Sequence, residues 1–377
     1  MEKLIVFIAF FDNLSQQPII SPLAATLDAS PTLVGLIVGI YSIFNVIGNM
    51  SSPLLSRKYG LTITIRASFI GVSLILLSYT LVQTPEHLLF VRALHGITAG
   101  FAVPCIFSLI SLHKHQGHKM SQVGRTIGLA AILGPPMAGL LGSRWGFSSV
   151  FYLLSALFII GALLTKKLPP TKPMLRARVD LRNALTHKGL SIAYASAFSL
   201  MFATGMLGFW FPLQLLQAGY PLSYIGIFFG LFGLAAIAIM PVSGVQGVKN
   251  PVSFIAIGFS LLSLGLLIVS LSHQLLIIGF GMFCYGLGFG CVFPAMNLLV
   301  VAKTNINNRT SAFAIFHSFF SLAVFIAPLI GGATYRILHP LQLVVLVIAV
   351  FSLIFFKSGL YQFKTGTTNQ ERGEHLF

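Results

Sequence analysis

Twelve apolar runs, most of them about 20 residues long, set the terms for this chain, because a helix of that length crosses roughly 30 Å of hydrocarbon. They occupy 4–26, 32–55, 62–82, 87–111, 122–142, 148–165, 189–216, 222–243, 251–271, 274–301, 310–334 and 341–356. Lipid offers the backbone no hydrogen-bond partners, so such runs are expected to be helical throughout. Only 8% of the residues are charged, 56% are hydrophobic and the mean hydropathy is +0.91. A soluble domain carries about 25% charge, so a water-soluble globule is excluded. The first run is read as a membrane helix and not as a cleaved leader, since Asp12, Asn13, Ser15, Gln16 and Gln17 interrupt it too early.

Of 23 lysines and arginines, 19 fall in loops or tails on the side of the amino terminus. Only Arg144 and Arg336 fall opposite, and Arg66 and Arg92 lie within helices. That asymmetry is how a polytopic protein fixes its orientation, so both termini are expected to be cytoplasmic in a multi-pass protein of the cell membrane. The formal charge of +16 therefore speaks of topology and not of nucleic acid. Cys105, Cys284 and Cys291 all sit in apolar runs and offer neither a disulfide framework nor metal spacing. The histidines of His113-Lys114-His115-Gln116-Gly117-His118 are flanked by Lys114 and Lys119, which oppose a cation, so no metal is expected there.

The chain repeats itself. Gly96, Gly100 and Pro104 have counterparts 190 positions on at Gly286, Gly290 and Pro294. Gly35 and Gly39 are answered by Gly226 and Gly230 at 191, and Pro135 by Pro328 at 193. Three echoes at nearly one offset point to two pseudo-symmetric six-helix halves, 1–165 and 189–358. A loop, 166–188, joins them with seven basic residues and the single acid Asp180, and a polar tail, 359–377, is expected to be disordered. No Gly-xxxx-Gly-Lys-Ser/Thr phosphate loop occurs, so uphill movement of a substrate would have to draw on an ion gradient. No nucleophile, base and orienting group share a depth in these spans, so enzymatic chemistry and a cofactor are not expected.

Six of the seven acids fall at helix ends, loops or tails, which leaves Asp12 alone within the membrane. Eight residues beyond Leu4, it lies about 12 Å into the bilayer, where a carboxylate is costly to ionise and is poised to take and release a proton. The competing reading is a structural carboxylate bonded to its neighbours, Gln16 one turn along among them. Arg92 lies about 8 Å from the other surface, so direct pairing with Asp12 and action through its field are both open. Arg66, near the end of its run, is expected to snorkel.

Arg92-Ala93-Leu94-His95-Gly96-Ile97-Thr98-Ala99-Gly100 resembles the fourth-helix motif of the major facilitator superfamily, Arg-x-x-x-Gly-x-Gly-Ala-Ala. Gly134-Pro135-Pro136-Met137-Ala138-Gly139 is similar to that family's antiporter motif, Gly-Pro-x-x-Gly-Gly. The resemblance implies a twelve-helix major facilitator fold, a proton-transfer role for the arginine, and membership of the drug and proton antiporter branch. Gly134, Pro135 and Gly139 would form a seam between halves that resists proton leak. The family's loop after its second helix reads Gly-x-x-x-Asp-Arg-x-Gly-Arg-Arg. Here Lys58 and Gly60 are retained, but Arg57 stands at the acidic position, which removes the usual charge relay.

The expected function is thus proton-coupled efflux of drugs or similar amphipathic small molecules by a monomer in the bilayer. Efflux of a specific metabolite such as a sugar or siderophore, proton-linked uptake, and a non-transporting sensor or scaffold are the alternatives. Asn13, Gln17, Trp210, Gln214 and His317 are the candidate pocket residues, with Met201, Met206, Phe209 and Phe211 as adaptable apolar surface near them.

Overall fold

A computed structural model describes residues 1–111, 116–168, 190–246, 251–304 and 306–348 of the chain. A few side chains inside these ranges, including Arg57, lie outside the description, as do the expected tail, most of the central loop, and the side chains of His113, His115 and His118. The architecture is all helical among the described residues. In chain order the helices are α1 (Glu2–Ser15), α2 (Ile20–Thr26), α3 (Pro31–Tyr59), α4 (Leu61–Ser78), α5 (Pro85–Ser111), α6 (Gln116–Trp145) and α7 (Phe147–Leu164). After the central loop come α8 (Ser191–Gln217), α9 (Leu222–Gln246), α10 (Pro251–Leu271), α11 (Leu275–Ala302) and α12 (Ile306–Thr334). The last is α13, 340–348.

Ten of these helices are long and apolar enough to span a membrane, or eleven if α1 and α2 count as one. The expected twelfth span begins with α13, and its remainder lies beyond the described residues. The first span is not the continuous helix expected: α1 and α2 meet at a bend of 44°. Pro18 is the cause, since it donates no N–H and disfavours helical geometry at Gln17. Elsewhere Pro104, Pro135, Pro136, Pro212, Pro241, Pro294 and Pro328 are carried inside helices, where neighbouring helices hold the chain on course.

The repeat in the sequence is a repeat of contacts. In lipid, helices associate chiefly by close packing of small residues, and here glycines bring backbones together. A side-chain carbon added at Gly96 or Gly100 of α5 would run into the carbonyls of Tyr41 and Asn45 on α3. At Gly286 and Gly290 of α11 it would meet the carbonyls of Phe232 and Ala236 on α9. Both struck carbonyls recur at an offset of 191, so α3 and α5 are related to α9 and α11 as one packed pair to another.

Two further glycine contacts cross between the halves. Gly35 and Gly39 of α3 sit against the carbonyls of Pro328 and Phe325 on α12, and Thr32 Oγ1 donates to the Gly332 carbonyl at 2.9 Å. Gly226 and Gly230 of α9 sit against Pro135 and Pro136 of α6. These seams are counterparts under the same repeat, and both lie toward the end of the bundle remote from the amino terminus. A shorter link closes the same end, where Ser21 Oγ donates to the Gly208 carbonyl of α8 at 3.1 Å.

Candidate functional site

The charged residues of the membrane interior converge inside the first half. α1 presents Asp12 and Gln16 on one face, one turn apart, and Gln16 Nε2 donates to Asp12 Oδ1 at 2.6 Å. Gln16 Oε1 in turn accepts from Arg92 Nη1 of α5 at 2.8 Å. The carboxylate and guanidinium are therefore bridged by the Gln16 amide in this conformation. Arg92 spends its other donors on the carbonyls of Ile37 and Val38 at 3.3 and 3.4 Å, and its guanidinium lies 4.6 Å from the ring centre of Tyr41.

One turn beyond Arg92, His95 completes the cluster. Its Nε2 lies 3.1 Å from Asp12 Oδ2, close enough for strong attraction but without hydrogen-bond alignment. Its Nδ1 lies 3.2 Å from the hydroxyl of Tyr79, whose ring stacks on Phe151 at 4.4 Å. The Tyr41 ring meets the imidazole edge to face at 5.2 Å. Asp12 is 1% exposed and His95 0%, so water reaches neither in this conformation. Isolated charges at such depth cost several kcal/mol, and the arrangement offsets that by neutralising one with another and by filling their hydrogen-bonding capacity.

Nothing comparable exists in the second half. The positions 190 after Arg92 and His95 are Met282 and Tyr285, and those 191 after Tyr41 and Asn45 are Phe232 and Ala236. The same offset carries Asp12 and Gln16 to Ala203 and Leu207. From 189 to 358 the sequence contains no aspartate or glutamate at all. One half thus carries the ionisable chemistry and the other has an apolar, aromatic version of the same scaffold.

The other expected site residues fall in three places. Asn13, next to Asp12, is exposed, and Gln17, in the bend between α1 and α2, is half-buried. His317 of α12 is exposed, two turns from Val324, which packs on Gly205 of α8, and three from Pro328, which packs on Gly35. Asn13 and His317 are thus exposed on helices that belong to different halves. Trp210 and Gln214 are engaged within the second half: Trp210 Nε1 donates to His339 Nε2 at 3.2 Å, and Gln214 Nε2 donates to the Val269 carbonyl at 3.0 Å. Met201, Met206, Phe209 and Phe211 are buried with them, so the apolar stripe of α8 packs its own half in this conformation.

The antiporter-like segment lies where a seam requires small residues. A carbon added at Gly139 would stand 2.5 Å from the Leu222 carbonyl, and at Gly134 2.9 Å from Ser15 Oγ. Pro135 presents its own carbonyl to Gly226. The expected loop is reduced to Gly60, and Lys58 stands in the last turn of α3, exposed, with its Nζ 5.1 Å from the Tyr59 ring centre. Gly60 has φ of 85° as it ends one helix and begins the next, a conformation that glycine alone adopts without strain. Arg66 Nε donates to Thr165 Oγ1 at 2.9 Å and ties α4 to the turn after α7.

The sequence reading overlooked His95, which stood inside the motif as an unassigned position, although its spacing of three from Arg92 places both on one helix face. Tyr41 and Tyr79 gave no signal, because aromatics are common in membrane helices. A testable consequence concerns Arg92: lysine is a point donor and cannot serve an amide and two carbonyls together. Arg92→Lys is expected to destabilise the protein by about 2–3 kcal/mol, read as a lower unfolding midpoint in detergent.

The bundle is that of a major facilitator transporter. It superposes on a bacterial homologue of the human lysosomal transporter Spinster, solved inward-facing and unoccupied, with a TM-score of 0.79 at 13% identity over 94% of this chain and 95% of that one. The nucleoside transporter NupG (D323A mutant) aligns with a TM-score of 0.78 at 15% identity, covering 96% and 98% of the two chains. Residues 4–305 match the Major Facilitator Superfamily, and the chain belongs to that family. Among curated proteins it is similar to multidrug resistance protein MdtG of Klebsiella pneumoniae (strain 342), 25% identical over 314 residues covering 79% of this chain and 76% of the relative. The MdtG of Enterobacter lignolyticus (strain SCF1) is 25% identical over 352 residues, 89% of this chain and 83% of the relative.

Proposed function

We propose that this major facilitator transporter exports drugs or other amphipathic small molecules in exchange for protons. The observation that carries the reading is the placement of Asp12, sealed beside a histidine and an arginine, while Asn13 on the next face of the same helix is exposed. Proton and substrate then meet on adjacent faces of α1 and influence each other through its position, without having to touch.

The substrate surface on this reading combines Asn13, Gln17 and His317 with half-buried aromatics such as Phe10, Phe198 and Phe320. No carboxylate faces it among the described residues, so ligands are selected by apolar shape and a few hydrogen bonds. The curated relatives' name, multidrug resistance protein, supports such breadth. Gly134, Pro135 and Gly139 with Gly226, and Gly35 and Gly39 with Pro328, serve as the closed gate of one conformation. The halves 1–165 and 189–358 rock about it, with 166–188 as their tether. With Arg57 at the usual acidic position, the segment bearing Lys58 and Gly60 contributes a tight turn and positive charge instead of a latch. Orientation follows the basic loops: both termini in the cytoplasm of a cell whose membrane holds the protein as a monomer.

Expression in bacteria stripped of their own exporters tests this. The expected result is lower accumulation of at least one amphipathic dye or antibiotic, restored by a protonophore. Higher accumulation would support uptake instead, and unchanged accumulation across cationic, neutral and anionic compounds would contradict export.

A further inference from the structure

We propose that the coupling proton is held by Asp12 and His95 together, as an imidazolium facing a carboxylate, with the Tyr79 hydroxyl as the second acceptor. The inference rests on the proton-coupled reading above and adds to it where the proton resides.

Asp12 Oδ1 cannot take the proton without dismantling its surroundings. Gln16 Nε2 donates to that oxygen at 2.6 Å, and Gln16 cannot turn its amide over, because its Oε1 accepts from Arg92 at 2.8 Å. A flipped amide would point N–H groups at the guanidinium. The added proton is therefore confined to the Oδ2 side, where His95 Nε2 stands 3.1 Å away. Neutral imidazole leaves one ring nitrogen bare and can satisfy Asp12 and Tyr79 only in part.

Proton uptake forms one N–H bond at the bare ring nitrogen and breaks none within the cluster. Both nitrogens then carry hydrogens: a tilt of the ring aims Nε2–H at Asp12 Oδ2, Nδ1 donates to the Tyr79 oxygen 3.2 Å away, and the hydroxyl turns its own hydrogen away. Release breaks the same N–H bond. The groups facing His95 are Asp12 from α1, Tyr41 from α3, Tyr79 from the turn after α4, and Arg92 one turn back on its own helix. Arg92 opposes a second positive charge, but its guanidinium is engaged by Gln16, two carbonyls and the face of Tyr41. Asp12 supplies the carboxylate oxygen that faces the imidazole, 3.1 Å from Nε2.

Infrared difference spectra between neutral and acid pH, recorded on the full chain in lipid nanodiscs with labelled histidine, distinguish the alternatives without a ligand. The expected wild-type result is an imidazolium component that His95→Gln removes from the summed signal of the ten histidines, with no neutral carboxyl band that Asp12→Asn removes. In His95→Gln the proton should fall back on Asp12, so a neutral carboxyl band appears, and the added change Asp12→Asn removes it. Tyr79→Phe keeps the stack on Phe151 and deletes one acceptor, so the imidazolium signal at fixed pH should fall severalfold while the fold is retained. A wild-type carboxyl band that His95→Gln leaves unchanged and Asp12→Asn removes would overturn the shared proton yet preserve proton coupling. Spectra identical in wild type and the Asp12→Asn, His95→Gln double variant would overturn both.

Discussion

Asp12→Asn is expected to reduce uphill efflux to the level of cells lacking the protein, with unchanged amounts of folded, membrane-inserted chain. Asparagine is nearly the same size, and its carbonyl can still accept from Gln16, so the helix contact between α1 and α5 survives. What disappears is the one acid that the sequence places in the membrane interior and the partner that His95 needs to carry charge. Downhill movement of substrate should persist, because Asn13 and Gln17 are untouched. Full uphill efflux by the variant, in cells with an intact proton gradient, would remove Asp12 from the mechanism.

Widening a seam should be as damaging by a different route. A carbon at Gly226 would fall on the Pro135 carbonyl, so Gly226→Val forces α9 and α6 apart at the end remote from the amino terminus. Backbone cannot yield as a flexible side chain does, and helix approach in lipid depends on such small residues. Transport should drop by about tenfold or more, the order expected when a closed state is destabilised by over 1.4 kcal/mol. Gly35→Val, against the Pro328 carbonyl, should do the same at the counterpart seam. A cysteine at Asn13, in a chain freed of its three buried cysteines, should then be labelled by an impermeant thiol reagent from the side that is closed in the parent. Gly208→Ala is the control: nothing lies within 4 Å of the carbon it adds, so transport should match wild type. Normal transport by Gly226→Val would mean that this seam is no gate.

Most of the fold could be read from the sequence because it depends on patterns that survive without side-chain detail. Apolar length sets the spans, and the offsets of Gly35, Gly96 and Pro135 from their echoes anticipated which contacts repeat. Pro18 was visible, but its bend was not, since a proline in a membrane helix can also be tolerated in place. At the site, Asp12 and Arg92 stood out because a charge in an apolar run is conspicuous. The bridging by Gln16 and the enclosure by His95, Tyr41 and Tyr79 depend on how α1, α3, α4 and α5 rotate against each other, which no single-helix pattern encodes. The partner of Trp210 was hidden for the same reason: an amphipathic aromatic suits a pocket and a packed interior alike, and His339, to which it donates, lies more than 100 positions away.

The most direct measurement uses purified protein in liposomes with a pH-sensitive dye trapped inside and no imposed gradient. A compound first shown to be exported in cells is added outside. The expected result is a proton movement opposite in direction to the compound, abolished by Asp12→Asn. Transport of the compound with no accompanying change in internal pH would contradict proton exchange.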